Sequence, residues 1–176
     1  MPLWKRNEAT IARLVWCPIN PIPTKTIKKM AKRVYTRAYA SVRFLGQNLD
    51  PLIVTLALQL PPDLMHRNGE PRLVRTKRGK VEVRSPHRGG LWSMSSEKWV
   101  QSPRLAIHLE WLLEQLEPKS EAVAQLLSQY VEADFFCYSL GTTPALPSVP
   151  RSIRSRIERL GVKLDIDHYC VPADEG

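Results

Sequence analysis

The stretch that decides the fold runs from Gly89 to Pro118, GGLWSMSSEKWVQSPRLAIHLEWLLEQLEP. It reads as a turn, a short strand and then the strongest amphipathic helix of the chain. Trp92 and Met94 alternate with Ser93 and Ser95, the period of two shown by a half-buried strand. Ser102 is placed to cap the helix and Pro103 to occupy its first position, where a missing N–H costs nothing. Leu105, Leu109, Leu112, Leu113 and Leu116 recur at three- and four-residue spacing, with Glu110, Glu114 and Glu117 mostly outside that stripe. This is core-building sequence.

Working toward the N-terminus, VYTRAYASVRFL predicts a strand with Val34, Ala38, Ala40, Val42 and Phe44 on one face. Tyr35, Arg37, Tyr39, Ser41 and Arg43 share the other face. Asp50-Pro51 reads as a cap and first-turn proline for a short helix packing Leu52, Ile53, Leu56 and Leu60. Pro61-Pro62 ends it, and DLMHRNGEPR reads as a polar loop turning at Gly69. RLVRTK and KVEVR, joined at Arg78-Gly79, read as a basic hairpin with Val74, Thr76, Val81 and Val83 toward the core.

Toward the C-terminus, Ser120 is placed to cap a helix bearing Val123, Leu126, Leu127 and Tyr130. VEADFFCYSL reads as an aromatic strand, and a proline-rich loop leads to a cap at Ser148. The last helix turns Ile153, Ile157 and Leu160 inward and stops at Gly161, with Val162 placed for the contact that follows a left-handed cap. VKLDIDHYCV is the closing strand. The order predicts an α+β fold, a mostly antiparallel sheet with helices packed on one face, for which a ferredoxin-type split βαβ is one arrangement.

At 176 residues and 43% apolar, the chain is about one domain long with enough core to fold alone. No apolar run reaches the roughly 18 residues of a membrane span, and the first residues lack a secretory signal pattern. Three cysteines without a C-x-x-C pair suit a cytoplasmic protein better than a disulfide framework. The net charge of +9 is uneven: residues 1–37 carry +8, residues 38–104 carry +6 and residues 105–176 carry −5. Such polarity steers an acidic partner or a polyanion toward the basic side. Residues 1–29, with Pro18, Pro21, Pro23 and a lysine run, read as a flexible basic leader or an extension from a mis-assigned start. The single globular domain spans 30–171, with a short tail at 172–176.

From Met30 to Val171 the chain resembles the bacterial family called Domain of Unknown Function 4279. The matching pieces are NGEPR (68–72), RGK (78–80), GLWSMSSE (90–97), HLEWLLEQLEP (108–118), ADFFCYSL (133–140) and LGVKLDIDHY (160–169). The resemblance implies no activity, cofactor or catalytic residue; a role beside bacterial toxins, as in immunity proteins, is its one suggestion.

The residues themselves offer little catalytic chemistry. His66, His87, His108 and His168 form no ligand pair of the H-x-x-x-H kind, and neither metal nor cofactor is implied. Asp165 and Asp167 lie two apart on a strand, a separation of roughly 6.5–7 Å that acid–base chemistry could use. The same alternation also describes a charged, half-exposed edge strand. Tyr35, Arg37, Tyr39 and Arg43 alternate aromatic and basic groups, as sheets that stack single-stranded nucleic acid do. Arg75, Lys77, Arg84 and Arg88 extend that basic surface. The leading expectation is a non-catalytic binding module that recognises an acidic protein partner through this basic strand-and-loop surface. Nucleic-acid binding is the alternative and a hydrolase using Asp165 and Asp167 the third reading; a membrane partner is not expected.

Overall fold

The computed structural model describes residues 34–129 and 131–171. The expected leader (1–29), tail (172–176) and Tyr130 lie outside the described residues. The strands are β1 (Tyr35–Gly46), β2 (Leu64–His66), β3 (Arg72–Arg75), β4 (Val81–Arg84), β5 (Gly90–Ser95), β6 (Glu132–Gly141) and β7 (Lys163–Cys170). The helices are α1 (Pro51–Leu58), α2 (Leu105–Leu116), α3 (Ser120–Leu127) and α4 (Arg151–Arg159), with a 3-10 turn at Glu117–Lys119 between α2 and α3. A five-stranded sheet has the order β2-β5-β1-β6-β7, and β3-β4 forms a separate two-stranded sheet. The fold is α+β.

β1 lies at the centre, antiparallel to β5 on one side and to β6 on the other. Its Ala38, Ala40, Val42 and Phe44 are buried as the alternation predicts, beside Trp92 and Met94 of β5 and Ala133, Phe135 and Cys137 of β6. α2 lays its leucine stripe across β1 and β6, α1 packs on β5 and α4 on β7. All five leucines of the stripe are at most 2% exposed. Glu110 and Glu117, off the stripe, together hold Arg156 of α4, which meets Glu117 in a two-pronged pair at 2.8 and 2.7 Å. The only parallel pairing among the described residues is β6 with β7, joined by α4. These two strands are direct neighbours, so the split βαβ of ferredoxin type is not the arrangement adopted.

Several local expectations hold because they depend on neighbouring residues alone. Asp50 accepts the Leu52 N–H at 3.1 Å with Pro51 first in α1. Gly161, at φ +70°, closes α4: its N–H reaches the Glu158 carbonyl and that of Val162 reaches Ile157, leaving Val162 buried.

Other expectations are corrected. α1 buries Pro51, Val54 and Leu58, whereas Leu52, Ile53 and Leu56 are exposed and Leu60 is half-buried after the helix. PLIVTLAL is apolar nearly all round, so either stripe was available. The face carrying Thr55 turns inward because Thr55 Oγ1 accepts the buried Trp92 Nε1–H at 3.0 Å. DLMHRNGEPR is not all loop, since Leu64–His66 pairs with β5 as an edge strand. Ser102, Ser120 and Ser148 do not cap. α2, α3 and α4 start after Arg104, Lys119 and Pro150 without a side-chain cap, and Ser102 Oγ accepts the Arg104 N–H in a turn that contains Pro103.

The hairpin forms, but its valines do not face the core. Leu73, Val81 and Val83 are 65%, 51% and 71% exposed. β2 and β5 pair at positions summing one higher than the β3–β4 pairs, so the two ladders are one long ribbon with a one-residue slip. Such a slip exchanges the two faces, and the distal half runs on beyond the sheet. Its tip is the three-residue loop Lys77–Gly79. Thr76 N–H bonds the Lys80 carbonyl, Gly79 N–H bonds the Thr76 carbonyl and Gly79 takes φ +79°, the bulged turn that requires glycine.

Trp92 is fully buried, edge-on to Phe44 at 5.7 Å between centroids. Trp92→Ala is expected to lower the unfolding free energy by about 3–5 kcal/mol, read from urea denaturation. An unchanged midpoint would contradict its place in the core.

Candidate functional site

The expected eight-residue surface divides in two. Arg37, Tyr39 and Arg43 stand on the sheet face away from the helices; Arg75, Lys77, Arg84 and Arg88 are exposed on the distal ribbon and the loop at its root. Tyr35 belongs to neither. A bulge between Tyr35 and Arg37 reverses the alternation. Its ring meets His168, whose Nδ1 lies 2.6 Å from the buried Ser139 Oγ, and its hydroxyl donates to the Ala145 and Leu146 carbonyls.

On the open sheet face, pairing brings together residues the sequence keeps far apart. Tyr39 stacks on Tyr138 at 4.9 Å, and Tyr138 lies 5.5 Å from Tyr169. Arg43 donates to both oxygens of Asp134 at 2.7 and 2.6 Å and covers the Phe136 ring at 4.4 Å. Arg37 pairs with Glu97. Asp165 and Asp167 flank this patch on β7, the edge strand, with Asp165 exposed and Asp167 half-buried. Arg37, Arg43 and Lys163 are therefore outnumbered by Glu97, Glu132, Asp134, Asp165 and Asp167. This face is not a cationic platform.

The ribbon is. Residues 67–88 hold eight Lys or Arg against Glu70 and Glu82. Arg84 pairs with Glu82, and Arg67 with Asp50 and Glu70. Arg72, Arg75, Lys77, Arg78, Lys80 and Arg88 have no ion-pair partner among the described residues. Arg72 stands directly opposite Arg84, a like-charge pair that costs stability where it stands. At the ribbon's root His66 stacks on His87 with ring centroids 3.5 Å apart, and its Nδ1–H donates to the Gly89 carbonyl at 3.1 Å. Burial, and then the neighbouring His87, hold the His66 pKa below its ordinary value.

Two serine–histidine contacts went unread in the sequence because their partners meet only across the fold. Ser96 Oγ lies 2.9 Å from His108 Nδ1, and His108 Nε2–H donates to the Ser102 carbonyl at 2.8 Å. Ser139 and His168 repeat the wiring, with His168 Nε2 against the Thr143 carbonyl at 2.7 Å. Both serines are 0% exposed, so neither oxygen can reach a substrate. These are structural pins rather than activated nucleophiles. The cleft of about 410 Å3 at the ribbon root brings His66 near Glu132, but the residues lining it include no serine, cysteine or threonine. Buried Cys137 has its thiol pKa pushed up to about 12, chiefly by burial, which leaves it protonated and unreactive. No helix among the described residues is long and apolar enough to cross a membrane.

A family model described as Domain of unknown function (DUF4279) matches residues 35–171. No curated protein and no solved structure matches the chain.

Burial lowers the pKa of His108 as well as that of His66, so the folded chain keeps both rings neutral to lower pH than the unfolded chain does. Their contribution to stability is fully present above the unfolded value of about 6.5 and is lost as pH falls below it. Urea midpoints are expected to be flat from pH 7 to 8 and to drop below 6.5, with a shallower drop in His108→Gln. A midpoint that rises on acidification would contradict this.

Proposed function

The chain belongs to the DUF4279 family, whose description assigns no activity, and we propose that it is a non-catalytic binding module that recognises an acidic protein partner through its basic ribbon. One observation carries this reading: the β3–β4 ribbon combines Arg72, Arg75, Lys77, Arg78 and Lys80, which have no ion-pair partner among the described residues, with exposed Leu73, Val81 and Val83. Protein recognition uses both kinds of group, apolar contacts for affinity and charge for steering and register. A phosphate backbone would use only the cations. Nucleic-acid stacking on the open sheet face is disfavoured by the acidic majority there and by Arg37 and Arg43 being already paired. Hydrolysis by Asp165 and Asp167 is disfavoured by their place on the rim of an edge strand.

Fluorescence anisotropy at physiological salt, with a short acidic peptide rich in Val and Thr and a single-stranded oligonucleotide of equal charge, tests the reading. The peptide is expected to bind more tightly. Arg72→Glu with Arg75→Glu is expected to abolish its binding, and Leu73→Ser with Val83→Ser to weaken it about tenfold, equivalent to about 1.4 kcal/mol. Tighter binding of the oligonucleotide would overturn the proposal.

A further inference from the structure

The ribbon's outer edge specifies how that partner would bind. Thr76 N–H points inward to the Lys80 carbonyl. Antiparallel pairing alternates along a strand, so Val74 and Arg72 also turn their backbone groups inward. Leu73 and Arg75 therefore turn theirs outward on β3, as Val81 and Val83 do on β4. Neither strand has a third neighbour among the described residues. A two-stranded ribbon is marginal in water until a further strand or a packed element joins it, and this one already bears the cost of opposing Arg72 to Arg84.

The two edges differ in charge. β3 and the turn that follows it carry Arg72, Arg75, Lys77 and Arg78 and no acid from residue 71 to residue 79. β4 carries Glu82, which holds Arg84. Cations along an unpaired edge repel a second edge of the same kind. A second copy of this chain, presenting the same surplus of six positive charges over residues 67–88, is repelled as well. An acidic strand is attracted.

Resting on the reading above, we propose that the partner docks by strand addition: an extended acidic segment of another protein pairs with the outer edge of β3. Its backbone would bond Leu73 and Arg75, and its carboxylates, which fall on the face opposite Leu73, would meet Arg72 there and lie in the field of Arg75 and Lys77. Apolar side chains at alternate positions of that segment would cover Leu73, next to Val83 across the ribbon. The edge that resists self-association thereby selects the sign of what it accepts.

The test changes the ligand, so the folding of the protein is not in question. The probe is a short peptide alternating Glu with Val or Thr, titrated into the full chain by anisotropy and by amide hydrogen exchange. N-methylation of alternate residues along one edge of the peptide, which removes the N–H groups facing β3, is expected to weaken binding about tenfold or more. Methylation of the opposite edge should change it little. Exchange at Leu73 and Arg75 is expected to slow in the complex, with Val81 and Val83 unaffected. Equal binding of both methylated peptides, equal binding of a helical peptide of the same composition, or protection at Val81 and Val83 instead would overturn strand addition at β3 while leaving acidic recognition standing. Failure of every acidic peptide to bind would overturn the underlying reading itself.

Discussion

The layering of this protein depends on the hydroxyl of Ser96. Ser96 follows the last residue of β5, and its backbone N–H bonds the Ala40 carbonyl of the central strand at 2.9 Å. Its oxygen accepts the Ala40 N–H at 3.0 Å, and its proton is shared between the Ala40 carbonyl and His108 Nδ1. His108 passes the link to the Ser102 carbonyl ahead of α2. One fully buried hydroxyl thus ties β5 to β1 and the first turn of α2 to both. An unpaired polar group at this depth would cost roughly 1–3 kcal/mol, so the arrangement is all-or-none. With α2 pinned here its leucine stripe falls across β1 and β6, and the helix layer settles on one side of the sheet.

The side left open and the ribbon beyond it inherit their character from that choice. On the open face, cross-strand pairing puts acids beside nearly every cation: Arg43 finds Asp134 and Phe136, and Arg37 finds Glu97. The partly buried Arg43–Asp134 pair fixes geometry more than it offers charge to a ligand, and the exposed Arg37–Glu97 pair leaves no net charge there. On the ribbon the opposite holds, because two short strands of similar composition face each other and only Glu70 and Glu82 offset the eight cations of residues 67–88. Where charge is compensated the surface is architecture, and where it is not, a partner has something to recognise.

What the sequence alone determined was local. The five leucines of α2, the Asp50-Pro51 start of α1, the Gly161 stop of α4 and the alternation through β1 and β5 follow from bonds and spacings within a few residues. They needed no knowledge of what lies opposite, and together they carry the fold class. The basic character of the ribbon was equally legible, since charge is counted and not folded.

Tertiary structure alone decided which side each element turns and where each strand stops. α1 offered two apolar stripes, and only the need of Trp92 for Thr55 as an acceptor chose between them. Tyr35 left the expected aromatic row because one extra residue bulges from β1, and Val81 and Val83 left the core because one residue of slip separates two ladders of the same ribbon. In a strand every side chain reverses with a shift of one. The sequence records the alternation but not its phase, because phase is set by the neighbouring strand.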